Sequence, residues 1–409
     1  MRVRDRLSKI YGPPAAKKEL RSRLEKLTHP PKSPSLDHLL GGTWKNRPGG
    51  RLLSVERTFP LDYTHGTLPL GEIYSVPSAW IQLLAGSGDF SNFQPQRTLF
   101  LDTETTGLAG GAGTCVFLVG LGFFHRSQFR IRQLFLPDYG CEKAFLEELS
   151  DLIQRGDRFR YLVSFNGKSY DLNLLQNRFV MQRLEPPFQS FSHLDLLHPS
   201  RLLWRSRFRD CALQTLERQL LRLDRSGDIP SALIPGIYFN YLHSGQFHSF
   251  SRVFQHNRMD LLTLVSLVVL ASRLIEEPDS AFHVDALSAA HLHQLRGNFQ
   301  KAAQLLEAAW GKMTIQSEEW QQVSLRLALL NKKLGRTDQA LRLFQQLMTS
   351  LPEPPLTVFQ EAAKILEHER RHFEAALAVV DRGLALYPSP DLRHRRFRLE
   401  CRLQGRRWY

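Results

Sequence analysis

From Arg97 onward the hydrophobic pattern switches between a period of two and a period near 3.6. Thr98–Asp102 is a short apolar run ending on a carboxylate, which predicts a strand. A glycine-rich turn follows, with Gly107, Gly110, Gly111 and Gly113. Thr114–Phe124 is nearly continuous apolar sequence, and Phe129–Leu136 alternates apolar with polar positions, predicting a buried strand and then a half-buried one. Phe145, Leu146, Leu149 and Ile153 give Glu142–Gln154 helical spacing. Arg160–Phe165 predicts a fourth strand, and Ser169 is placed to cap a helix reaching about Met181. Helices near 196–204 and 211–221 precede a long apolar one from about His256 to Ile275. Three sequential antiparallel strands followed by β-α units predict an α/β domain, a sheet covered by helices, over residues 96–276.

Beyond Pro278 the pattern is helical throughout and repeats itself. Ala302, Ala340 and Ala376 recur after 38 and then 36 residues, and each is followed by similarly spaced large apolar residues. The pattern resembles degenerate tetratricopeptide repeats, an all-α domain over 284–409. Such helix pairs stack into a solenoid suited to a protein partner. Residues 1–95 are broken by Pro13-Pro14, Pro30-Pro31, Gly41-Gly42 and Pro48-Gly49-Gly50. They predict a basic arm, with a short helix at Lys18–Leu27, followed by an irregular region.

Composition narrows the partner. The chain carries 54 Lys and Arg against 40 Asp and Glu, a net charge of +14. Residues 1–50 alone hold twelve basic and four acidic residues, a local excess of +8. This excess favours a polyanion such as nucleic acid or an anionic membrane. The apolar run Leu261–Ala271 is too short to span a bilayer, and the first residues lack the apolar core of a signal peptide. Cys115, Cys141, Cys211 and Cys401 have neither disulfide-framework nor zinc-finger spacing. A soluble cytoplasmic protein is expected.

The candidate chemistry is carboxylate chemistry. On an extended chain Asp102 and Glu104 share one face. Adjacent carboxylates repel unless they share a cation, and a hard ion such as Mg²⁺ takes oxygen ligands. Asp171 follows the Asn166-Gly167 turn in the first turn of a helix, where it suits a metal or simply the helix dipole. His256 and Asp260 stand one helical turn apart, and a lone buried Asp260 is costly unless paired or metal-bound. His193, Asp195 and His198 look like a metal cluster but fit a strand-to-helix junction better, with Asp195 a reserve contact. Gly111 and Gly113 lack the continuation of a nucleotide-binding loop. A tight turn fits them better.

Together, Asp102-x-Glu104-Thr105-Thr106-Gly107-Leu108, Asn166-Gly167-x-x-Tyr170-Asp171 and His256-Asn257-x-x-Asp260 resemble the four-acid exonuclease superfamily with the ribonuclease H-like fold. More narrowly, they resemble the YprB-type ribonuclease H-like family, whose members often carry tetratricopeptide-like repeats. The resemblance implies a nuclease, most simply a 3′–5′ exonuclease acting on single-stranded DNA or RNA ends. An endonuclease on the same centre and a catalytically silent adaptor are the alternatives. It also implies two divalent ions, Mg²⁺ or Mn²⁺, held by Asp102, Glu104, Asp171 and Asp260, with His256 as the base. Three residues separate His256 from Asp260, the spacing of the tyrosine branch, which leaves open whether His256 takes a proton or positions water. Thr105, Thr106, Gly107, Leu108 and Asn166 are expected at the nucleic acid. Arg201, Arg205 and Arg207 flank Trp204, a mixture suited to phosphates and stacked bases or to a solvated helix end.

Overall fold

The computed structural model describes residues 35–107, 113–154, 158–278 and 283–406. The short basic helix expected at Lys18–Leu27 lies outside them, as does Leu108. A first short helix, α1 (Leu36–Leu40), leads into β1 (Gly42–Arg47) and β2 (Gly50–Pro60). A small hairpin, β3 (Thr64–His65) and β4 (Leu68–Pro69), and helix α2 (Ser78–Ala85) follow. Next come β5 (Thr98–Thr105), β6 (Val116–His125), β7 (Gln128–Phe135), α3 (Glu142–Gln154), β8 (Tyr161–Ser164), α4 (Asp171–Met181) and β9 (Ser192–Asp195). Helix α5 (Leu197–Trp204), α6 (Leu213–Leu216, prolonged by a π turn at Glu217–Leu221), α7 (Ile234–Ser244) and α8 (Phe250–Glu276) complete this part.

Seven strands form one mixed sheet in the order β1-β2-β7-β6-β5-β8-β9. The pairs from β1 through β5 are antiparallel, whereas β5–β8 and β8–β9 are parallel. This is the α/β arrangement expected, with one enlargement. Residues 42–60, expected to be irregular, supply two strands. Pro48-Gly49-Gly50 reads as a breaker, but it is the hairpin turn, with Gly49 and Gly50 both at positive φ. Leu52, Leu53 and Val55 are buried on the sheet. Helix α7 and the first turns of α8 lie in the stretch between about 221 and 256, for which the pattern predicts no element. Ser169 does not cap α4, because the helix starts at Asp171 and the flanking Tyr170 makes no side-chain cap bond.

Strand alternation divides the core. Leu99 and Leu101 join the cluster under α3, α4 and α7, while Phe100 faces α8 on the other side. Arg178 on α4 grips Glu142 on α3 through Nε–Oε1 and Nη2–Oε2 bonds, both 2.6 Å, fixing these two helices together.

The remainder is all helical: α9 (His283–Leu295), α10 (Phe299–Trp310), α11 (Glu318–Lys333), α12 (Thr337–Ser350), α13 (Leu356–Lys364, prolonged to Glu369), α14 (Phe373–Leu386) and α15 (Pro390–Leu403). Successive helices pack on one another, and Ala302, Ala340 and Ala376 are all fully buried in their shared core. The seam with the α/β part is built rather than flexible. Ala289, Leu292 and Leu305 belong to the same core as α8, and buried Asp285 pairs with Arg207 at 2.9 Å. No described helix is long and apolar enough to cross a membrane.

Candidate active site

The site forms where β5 outruns its parallel neighbour. β5 pairs with β6 along its length but with β8 only as far as Phe100 opposite Val163. Past that point the strand has an open edge, and Asp102 and Glu104 lie on it. They share the Phe100 face, the one covered by α8. This is the carboxyl end of the parallel strands, where open α/β sheets form their clefts.

Three strands prepare the ground for α8. Gln133, Gly120 and Asp102 are cross-strand neighbours in one row. Asn257 of α8 drops into the gap that Gly120 leaves. Its Nδ2 donates to the Asp102 Oδ2 at 2.7 Å and to the Asp102 carbonyl at 3.2 Å. Its Oδ1 accepts from Gln133 Nε2 at 2.8 Å. A Cβ at position 120 would stand 2.2 Å from Asn257 Oδ1. Gly120→Ala is therefore expected to lift α8 from the sheet, costing about 1–3 kcal/mol. Thermal melts check this, and a variant of native stability would contradict it.

Asp171 reaches the same place from the far side of the sheet, starting α4 after the turn at 166–170. Asn166 adopts a left-handed φ of 65°, which asparagine tolerates well. Asp195 holds that turn. Its carboxylate accepts from the amides of Asn166 (2.7 Å), Lys168 (2.9 Å) and Leu197 (3.1 Å). His193 Nε2 meets Ser164 Oγ at 2.7 Å, so this cluster is the strand-to-helix junction. Asp171 Oδ1 accepts from the Thr103 hydroxyl.

The fourth wall contains residues that motif spacing does not reveal. Asp228 Oδ2 lies 2.8 Å from His256 Nδ1, and His256 Nε2 lies 3.6 Å from Asp260 Oδ2 and 3.3 Å from Ser231 Oγ. Arg225 bonds Asp260 Oδ1 and Glu217 Oε1 and reaches Asp228 Oδ2 at 3.1 Å. Glu217 Oε1 also accepts from Thr263, while its Oε2 is buried without a hydrogen-bond partner. Thr263 spends its proton on Glu217, so the neutral His65 ring donates its Nε2–H to Thr263, at 2.8 Å. Burial, then Arg225, lowers His65 to about 4.

Electrostatics shows how close the acids stand. Burial first, then Asp260, Glu104 and Asp171, pushes Asp102 well above the usual carboxylate range. Glu104 is raised likewise by burial, Asp260 and Asp171, with Arg225 opposing. Burial raises Asp171 to about 6 against the lowering bond from Thr103. Such a set repels itself, and an all-oxygen donor set suits hard divalent cations. Among the described residues no three His, Cys, Asp or Glu side chains already converge as a ligand cage. Asp102, Asp171 and Asp260 each turn one oxygen to a protein donor and leave the other available. These residues fit a divalent ion that draws the free oxygens together.

The expected nucleic-acid contacts divide. Thr105 donates to the Gly107 carbonyl at 2.7 Å, Tyr170 donates to the same oxygen, and Thr106 Oγ1 accepts from the Cys115 amide at 2.9 Å. These side chains brace the loop beside the acids. Asn166, Arg201 and Arg205 are exposed, and Arg207 is engaged with Asp285. Trp204 corrects the expectation of base stacking: at 1% exposure it is core, buried with Leu203 on the inner face of α5.

Residues 99–272 match the RNase_H superfamily. The chain is also 30% identical to the uncharacterized protein YprB of Bacillus subtilis (strain 168), over 335 residues that cover 81% of this chain and 79% of that one. This chain belongs to the YprB family of the RNase_H superfamily. The YprB match runs well beyond the nuclease-type domain. A nuclease-type fold of this superfamily binds nucleic acid, and its enzymes usually use divalent metals.

Proposed function

We propose that this chain is a two-metal-dependent nuclease hydrolysing phosphodiester bonds, a 3′–5′ exonuclease on single-stranded ends. The observation that carries the reading is the mutual repulsion felt by four acids from β5, α4 and α8, beside a histidine already oriented by a carboxylate. Asp102, Glu104, Asp171 and Asp260 would hold Mg²⁺ or Mn²⁺, which supplies positive charge to the attacking and leaving oxygens of an in-line displacement. Asn257 and Thr103 aim two of those carboxylates. Asp228 accepts the Nδ1–H of His256, which leaves the Nε2 lone pair on the side of Ser231 and Asp260, where the attacking water would stand. His256 then takes the water's proton, and Asp228 holds the ring in the tautomer that can. Thr105, Thr106 and Tyr170 fix Gly107 and Cys115 at the carboxyl end of β5, which suits the admission of a chain end there.

His256→Ala is expected to slow single-turnover cleavage by roughly 10²–10⁴-fold. Asp228→Asn should follow it in direction, because an amide can leave the imidazole in the wrong tautomer. The pH profile at saturating metal is the discriminating readout: an unchanged rate and profile in both variants assigns His256 a structural role. Polarity and end requirement are tested with end-labelled linear and closed circular single strands in Mg²⁺ or Mn²⁺. Mononucleotides from the 3′ end are expected, and comparable cutting of circles moves the assignment to an endonuclease. The helix pairs from α9 to α15 fit a tetratricopeptide-like solenoid that holds a protein partner.

A further inference from the structure

A surface trough of two adjoining pockets runs toward Arg225 and Asp228. Its outer part, about 640 Å³, is lined by Phe208, Arg209 and Arg218. Its inner part, about 650 Å³, is lined by Arg218 and Arg222 and ends on Arg225 and Asp228. Arg218 borders both parts, so they adjoin at its side chain. The inner end therefore touches the residues that hold Asp260 and His256. Arg209, Arg218 and Arg222 are exposed, and among the described residues none lies within ion-pair distance of a carboxylate. Two acids also line the trough, but they are tied into local turns: Asp210 accepts from the Ala212 amide at 3.0 Å and Asp224 from the Ser226 amide at 2.8 Å.

Backbone geometry presents these arginines deliberately. The π turn at Glu217–Leu221 sends Glu217 inward to Arg225 and leaves Arg218 outside. Arg222 ends it with a left-handed φ of 54°, a conformation that glycine or asparagine adopts at less cost.

We propose that Arg209, Arg218 and Arg222 form the track along which the phosphodiester backbone of a single strand approaches the acid cluster. The proposal rests on the nuclease reading for the direction of travel, and on charge and shape for the binding itself. Phosphates neutralise exposed guanidiniums that make no salt bridge, Arg209 and Arg218 sharing only the longer-range charge of Asp210, and the trough is open enough for an unstacked strand.

The test is binding of a fluorescein-labelled 12-nucleotide single strand, as DNA and as RNA, measured by anisotropy in EDTA across a salt series. The full chain is compared with the double variant Arg218→Ala/Arg222→Ala and with a charge-matched control, Arg393→Ala/Arg406→Ala, on the last helix and beyond it. The track variant should bind at least about 10-fold more weakly, and its slope of log affinity against log salt should be shallower by about 1.4, two single-strand contacts' worth. The control should stay close to the parent. Equal losses in both variants, no loss in the track variant, or a parent that does not bind overturns the track. Cleavage by the parent in Mn²⁺ is scored separately. A parent that never cuts, with the selective binding loss intact, removes the nuclease reading and leaves a nucleic-acid site.

Discussion

Asp102→Asn should cut single-turnover phosphodiester cleavage by at least about 10³-fold, the upper end for losing one charge-stabilising group, and yet raise the melting temperature of the metal-free protein. Both effects have one cause. Asp102 sits among Asp260, Glu104 and Asp171, and burial and those neighbours disfavour its charged form. The proposed metal site needs that charge to hold a cation, whereas the metal-free fold is strained by it. Asparagine keeps an oxygen to accept from Asn257 and removes the repulsion. Added Mn²⁺ should then stabilise the parent more than the variant. Melting curves in EDTA and in Mn²⁺ measure all four states, and a variant less stable than its parent in EDTA contradicts the argument.

Arg225→Gln should have the largest effect on stability. The guanidinium is the shared partner of Glu217, Asp228 and Asp260, and Glu217 is 1% exposed. Removing one partner of a buried ion pair costs about 3–5 kcal/mol, equivalent to a drop in melting temperature on the order of 10 °C. The loss depends on pH. Burial raises Glu217 to about 7 even with Arg225 opposing. The folded chain thus retains a proton that the unfolded chain, with a glutamate near 4.3, has already released. This group's contribution falls as pH rises from about 4.3 to about 7. Without Arg225 the acid is harder still to ionise, so the deficit should be larger at pH 8 than at pH 6. Equal melting temperatures for variant and parent at pH 8 would refute the network's role.

What was legible in the sequence followed periodicity and short spacing. Thr98–Asp102 announces its strand, and Asp102, Glu104, His256 and Asp260 are close enough along the chain for their shared faces to be deduced. Asp228 and Arg225 are silent because they sit in an aperiodic loop between helices, and only tertiary folding brings them to His256 and Asp260. Asn257 stood inside a motif, but its role requires the gap over Gly120, visible only once β5, β6 and β7 are in register. Trp204 was legible in principle. With Leu197, Ser200 and Leu203 it forms the buried stripe of α5, a helical period that outweighs the nearby arginines.

Helix α8 has a further consequence, one of phase. It is one uninterrupted rod of 27 residues. Near one end His256, Asn257 and Asp260 face the site, and at the other the Ile275 carbonyl meets His293 Nε2 of α9 at 3.1 Å. Each residue turns an α-helix by about 100°. One residue inserted between Asp260 and Ile275 would swing the far end by that angle, setting the catalytic face and the face toward the helical region at odds. An insertion of four, close to a full turn, would restore the angle but push the two ends apart by about 6 Å. The stretch between them is therefore fixed in length as firmly as its buried side chains are fixed in packing.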